Sequence, residues 1–195
     1  MKIILRESQY SRLLSEDVKS DNKVVNQIRV SVSDKFDKFI KENKEYLDST
    51  KIILDVYSVL NQFKDYLIKQ TPIILQQLKT GKGGDVFANE AYSELYRIIQ
   101  VSLNGLGWGK RQFVKTLAPG KDELLKQMKS QDISIYISTF KSMLDAGFLV
   151  GWMSETGPYN NNVNIWSNSL NKWVDSRKNS IKNNLINLII NKLYK

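Results

Sequence analysis

The chain has 195 residues, a formal net charge of +9, and neither cysteine nor histidine. The missing residue types exclude thiolate nucleophiles, disulfides, histidine-assisted triads and the usual zinc sites, and the length suits one domain or two small ones. No run reaches the roughly 18 apolar residues that cross a bilayer, MKIILRES is not a secretory signal, and the basic balance points to nucleic acid, an anionic membrane surface or an acidic protein partner, or to a mere Lys- and Asn-rich bias.

Helical periodicity dominates, so the expected fold is mostly α: a helical bundle with an N-terminal helical arm. Residues 7–16, ESQYSRLLSE, place Tyr10, Leu13 and Leu14 on one helical face. Residues 17–23, DVKSDNK, are polar and read as a linker. In VVNQIRVSVS, Ile28, Val30 and Val32 alternate with polar residues, which allows one short strand near residues 24–32. The competing reading is a helix running into DKFDKFIKENKEYL, and helix is expected from about Ser33. Ser49 or Thr50 would cap the next helix, with Ile53, Val56, Tyr57, Leu60, Phe63 and Leu67 toward the core. Thr71-Pro72 reads as a helix start, because proline is tolerated at the first helical position. That helix should end at TGKGGD, residues 80–85, and Asp85 should cap the helix ANEAYSELYRIIQVSLN. A helix from about Lys110 to Leu117 should stop at Ala118-Pro119-Gly120, with short helices opening at Asp122 and Asp132 and a stop at Gly147. Residues 155–164, ETGPYNNNVN, read as a loop. The closing helix carries Leu170, Val174, Ile181, Leu185, Leu188 and Leu193 near one stripe, with Lys172, Arg177, Lys178, Lys182 and Lys192 as its basic complement. The expected organisation is an arm at 1–16, a linker at 17–23, a helical hairpin at 24–70 and a compact helical domain at 71–195.

The stretch VSLNGLGWGKRQF, residues 101–113, sets Gly105, Gly107 and Gly109 at alternate positions, then Lys110 and Arg111. A Walker-type loop needs a hydroxyl after its lysine, and Arg111 stands there. A dinucleotide fingerprint needs a preceding strand and a later third glycine. TGKGGD fails for similar reasons. Gly105 after Asn104 fits a left-handed helix stop. The remaining glycines and Trp108 suggest a surface-contact loop made of Gly105, Gly107, Trp108, Gly109, Lys110 and Arg111.

Gly105-Leu106-Gly107, between two helical stretches, resembles the Gly-x-Gly-Thr loop of annexin-type helical repeats. That resemblance implies loop carbonyls binding calcium, completed by a carboxylate at Asp145. Trp108 replaces the threonine, and Gly109 and Lys110 replace the acidic pair, so the calcium site is expected to be lost. KIILRESQYSRLLSE resembles the short leaders that open many virion proteins of large tailed phages. That resemblance implies packaging into the prohead and a protease cut after Leu14-Ser15-Glu16.

Without histidine, catalysis would rest on carboxylates, lysine or tyrosine. Glu90, Glu94 and Glu155 are the candidate acids for glycoside cleavage, but Glu94 is within helical reach of Arg97. Trp108, Trp152, Trp166 and Trp173 crowd the second half, and Trp173 is expected in the core and Trp108 on the surface. The expectation is a non-enzymatic phage virion protein with no catalytic residues, metal, cofactor or small-molecule substrate. Its partners would be other virion proteins, with DNA as a second partner of the basic surface, and its place the virion after assembly in the host cytoplasm. A DNA-binding or anionic membrane-surface module is the alternative, and a peptidoglycan-degrading enzyme the third reading.

Overall fold

The computed structural model of the chain describes residues 7–50, 55–117, 119–120, 122–123, 125–126 and 160–194; for residues 7–20 the description is of the backbone. Six helices carry the described fold: α1 (Glu7–Glu42), α2 (Lys44–Thr50), α3 (Val56–Thr80), α4 (Gly84–Asn104), α5 (Trp108–Leu117) and α6 (Asn160–Leu193). Among the described residues there is no strand, and the protein is an all-α bundle.

The strand considered at residues 24–32 is helix. Ile28 and Val32 are 1% exposed, whereas Val30 between them is 60% exposed. A strand would put all three on one face. Among the described side chains of α1 the buried ones are Val25, Ile28, Val32 and Phe36, spaced three and four apart, which is one face of a helix. The polar stretch 17–23 is also helical, so α1 runs without a break from the arm into the bundle. Its polarity matches a helix exposed over most of its circumference as well as it matches a linker.

Thr71 and Pro72 do not open a helix; they lie inside α3. Proline has no N–H for the carbonyl of Ile68, one turn earlier. The Thr71 hydroxyl donates to that carbonyl at 2.7 Å, and Thr71 is buried. Side-chain chemistry therefore satisfies the acceptor that proline leaves open. The boundary expected at residue 71 falls in the middle of α3, whose buried residues on both sides of it share one hydrophobic cluster with the other helices. The N-cap of α3 is Asp55, whose carboxylate accepts from the Ser58 N–H at 3.2 Å, while Ser49 and Thr50 belong to the end of α2. Asp85 sits in the first turn of α4 rather than at its cap, and residues 160–164 belong to α6 rather than to a loop. The helices expected at Asp132 and the stop at Gly147 lie outside the described residues.

α3 is the hub: it packs against α1, α2, α4 and α6, while the most extensive pairing is α4 with α6. α1 and α3 are antiparallel, because Asp21 pairs with Lys79 at 2.5 Å and Asp37 with Lys64 at 3.1 Å. α3 and α4 form a hairpin through residues 81–83. α6 lies parallel to α4, since Gly84 meets Trp166 and Leu170 while Tyr92 meets Trp173 farther along. Phe36, Phe63, Phe87 and Trp166 are the largest fully buried side chains. The stripe read on the last helix, Leu170, Val174, Ile181, Leu185, Leu188 and Leu193, is buried throughout.

The α3–α4 turn is where these contacts converge. Gly81 ends α3 in the left-handed region at φ 69°, where a side chain is strained. Asn162 of α6 donates to the Lys79 carbonyl at 2.6 Å, and the buried Trp166 indole donates to Gln77 at 3.0 Å. At Gly84 the α6 backbone passes so close that a Cβ would overlap the Trp166 carbonyl oxygen and lie 3.1 Å from the Leu170 nitrogen. Both obstacles are backbone and cannot rotate away. Overpacking of this kind costs about 1–3 kcal/mol and sometimes more. Gly84→Ala should therefore destabilise the protein by at least about 2 kcal/mol, read as a lower urea midpoint at unchanged slope. A wild-type midpoint in that variant would contradict the close approach.

Candidate functional site

The α4–α5 corner carries the glycine stretch. α4 ends at Asn104, and the Gly105 N–H donates to the Val101 carbonyl at 3.1 Å. Gly105 is right-handed, at φ −74° and ψ −4°, so the expected left-handed stop is not formed. The helix closes instead by a tightened last turn, in which the Leu106 N–H donates to Leu103 at 3.3 Å. α5 begins at Trp108, two residues earlier than the sequence suggested, and the Arg111 N–H donates to the Gly107 carbonyl at 3.2 Å. An Arg111 Nη reaches back to the Asn104 carbonyl at 3.5 Å, tying the two helices across the corner. A Cβ added at Gly107 or Gly109 would meet nothing within 4 Å. Neither backbone angle nor packing within the chain demands glycine there.

Trp108 is 78% exposed, and Phe113 on the next turn and a half is 55% exposed. Val101 is also exposed, Leu106 is half-buried against the core, and Val114 is the buried anchor of α5. The sequence of α5 holds Lys110, Arg111 and Lys115 and no acid. The corner thus combines exposed aromatic rings with cationic residues on a bare backbone. Aromatic groups exposed to this degree serve contacts more often than chemistry.

The other expected site residues lie elsewhere. Tyr10, Leu13, Leu14 and Glu16 are on the first turns of α1, far from α5 in sequence and on a continuous helix rather than beside a linker. On α6, Lys172, Arg177 and Lys178 are exposed and Lys182 is half-buried. At about 100° per residue they spread around the helix rather than forming one strip. Residues 175–180 are all exposed, so the buried stripe of α6 is interrupted between Val174 and Ile181. Arg177 covers the Trp173 ring at 5.2 Å, and Trp173 is half-buried against Tyr92. Asp145, Trp152 and Glu155 lie outside the described residues.

Among the carboxylate candidates, Glu94 is engaged in an ion pair. Arg97 binds Glu94 with two hydrogen bonds, at 2.5 and 2.7 Å, and holds its carboxyl below the usual range. Glu94 and Arg97 border a cleft of about 220 Å³ between α3 and α4, with Gln62, Asp65, Tyr66 and Lys69. Burial, and then the charges of Glu90 and Glu94, push the Tyr66 hydroxyl up to about 12. This is a tyrosine kept neutral beside acids, one of which, Glu94, is engaged by Arg97. Among the described residues no group of three His, Cys, Asp or Glu could hold a metal ion, and no helix is long and apolar enough to cross a membrane.

The contacts that organise the fold escaped sequence reading. TGKGGD reads as a failed phosphate loop, yet its glycines form the corner on which α6 seats. The available signal was the adjacent pair Gly83-Gly84 at a helix start, which marks close backbone approach. Gln77 and Asn162 carried no signal, because their partners are 89 and 83 residues away. Compared with protein-family models, curated proteins and solved structures, the chain matches none of them.

Two measurements check this geometry. Gly107→Ala and Gly109→Ala should leave the thermal midpoint unchanged, or raise it slightly by restricting the unfolded chain, in contrast to Gly84→Ala. For Tyr66, the unfolded hydroxyl titrates near 10 and the folded one near 12. Between those values the unfolded chain binds fewer protons, so stability falls as pH rises. Tyr66→Phe should flatten that part of the alkaline loss of stability relative to wild type, measured by urea unfolding at about pH 9 and about pH 11.

Proposed function

We propose that this chain is a non-enzymatic virion component of a large tailed phage that works by protein contact through the first turns of α1. The observation that carries this reading is the register of α1 on α3. With Asp21 opposite Lys79 and Asp37 opposite Lys64, the last residue of α3 lies level with about residue 20 of α1. Residues 7–19 therefore run past the end of α3, by roughly 20 Å at 1.5 Å per residue. A short amphipathic helix is unstable alone, but here it is the continuation of a 36-residue helix and is nucleated by the bundle. The segment carries Tyr10, Leu13 and Leu14 at helical spacing, a pattern that suits docking on a neighbouring protein.

The leader-like sequence over residues 2–16 supports the virion setting and a processing cut after Glu16. Such a cut falls in helix, so the protease must act on a locally frayed end, where opening is least costly. It would remove a segment beyond the reach of α3 and leave the packed residues of α1 in place. The basic surface, with Lys172, Arg177 and Lys178 exposed on α6, suits proximity to packaged DNA.

Two outcomes are expected. A chain lacking residues 1–16 should fold with the wild-type thermal midpoint, because it keeps Val25, Ile28, Val32 and Phe36, the buried face of α1 that packs in the bundle. Mass spectrometry of purified particles should find the chain, with Asp17 as its first residue. Absence of the chain from particles would remove the virion reading, and a chain intact from Met1 would remove the processing step alone.

A further inference from the structure

From the α4–α5 corner we infer a binding site for single-stranded nucleic acid, using Trp108 and Phe113 as stacking platforms and the cations of α5 for the phosphates. Nucleic acid without sequence preference is held by aromatic faces for the bases and cationic side chains for the backbone. This corner supplies both within one ten-residue helix. Trp108 and Phe113 are the exposed aromatics of α5, and Lys110, Arg111 and Lys115 are its charged residues. The complementary partner must be anionic, since α5 bears no acid. Gly107 and Gly109 flank Trp108 with open space where side chains would stand. Their bare backbone lets a planar base or a phosphate approach closely, which gives these glycines a use that the fold does not.

The arrangement distinguishes among anionic partners. An interfacial membrane helix presents one continuous apolar face. Trp108 and Phe113 are five positions apart, hence about 140° apart around the helix, and the exposed Gln112 lies between them in sequence. They form two separate platforms rather than one face to lie in lipid. Duplex DNA attracts the same cations but keeps its bases stacked on one another, which leaves Trp108 and Phe113 without a role. Unpaired bases use every group at the corner. Val114 is the buried residue that seats α5 on the core, which leaves Trp108 and Phe113 on its exposed sides.

The inference is independent of the virion reading, because it concerns a site and not a location. The test is fluorescence anisotropy of the full chain with a labelled thymidine oligonucleotide, the same sequence as a duplex, and vesicles of anionic phospholipid in parallel. The single strand should bind more tightly than the duplex. Trp108→Ala should weaken it about tenfold, within the range for one stacked base, while Trp108→Phe, which keeps a stacking face, should retain most of the affinity. The thermal midpoint of Trp108→Ala should match wild type because the side chain is exposed. Replacing Lys110 and Lys115 together by Gln should reduce the slope of log affinity against log salt by about 1.4. Equal binding of duplex and single strand with no effect of Trp108→Ala, binding to vesicles alone, or no binding to any probe would each overturn the site.

Discussion

The architecture depends on a single close approach, the passage of the α6 backbone over Gly84 at the start of α4. Two helices can come this near only where one lacks a side chain, and here the facing groups are a carbonyl oxygen and a backbone nitrogen. The approach brings Trp166 down between α3 and α4, where its ring meets Phe87 at 5.7 Å and its indole N–H finds Gln77. A buried tryptophan contributes a large apolar area but must satisfy its one donor. Gln77 at the end of α3 does so, and Asn162 covers a carbonyl that the same helix end would leave open. Three helices are thereby fixed at one corner by a glycine, an amide pair and one ring.

From that corner the bundle propagates along α3. Its buried face runs from Val56 to Leu78 and meets α1 on one side and α4 and α6 on the other. Proline in mid-helix would ordinarily interrupt such a strut. Pro72 is tolerated because its ring is exposed and because Thr71 supplies the hydrogen bond that proline cannot. The ion pairs to Asp21 and Asp37 mark the register of α1, the first part-buried and the second exposed, and surface pairs add little to stability. Their structural consequence is larger than their energy, since the register determines how much of α1 extends past α3.

The two glycine clusters therefore divide the labour of the molecule. In the 81–84 cluster, two glycines have positive φ and a third admits a crossing backbone, so each is required by the fold. In the 105–109 cluster none has positive φ and two face open space. Neither the backbone angles nor the packing of the described residues calls for glycine there. The exposed ring of Trp108 beside them suits a contact outside the chain, because water is a poor environment for an indole.

The helical class, most of the buried faces of α3, α4 and α6 and the exposure of Trp108 were legible in the sequence, because they follow from the 3.6-residue period and from local composition. The buried stripe of α6 could be named residue by residue on that ground. Residues 24–32 show where period alone was ambiguous: Ile28, Val30 and Val32 fit a strand, and only packing against α3 decided that Val30 points away. Thr71-Pro72 misled for a related reason. Its local chemistry suits a helix start equally well, and the choice was settled by the burial of Thr71 and of the apolar residues on both sides. What the tertiary structure alone decided was which glycines matter. The need for Gly84 arises from a helix about 80 residues later in the chain, and no local pattern encodes a partner at that distance.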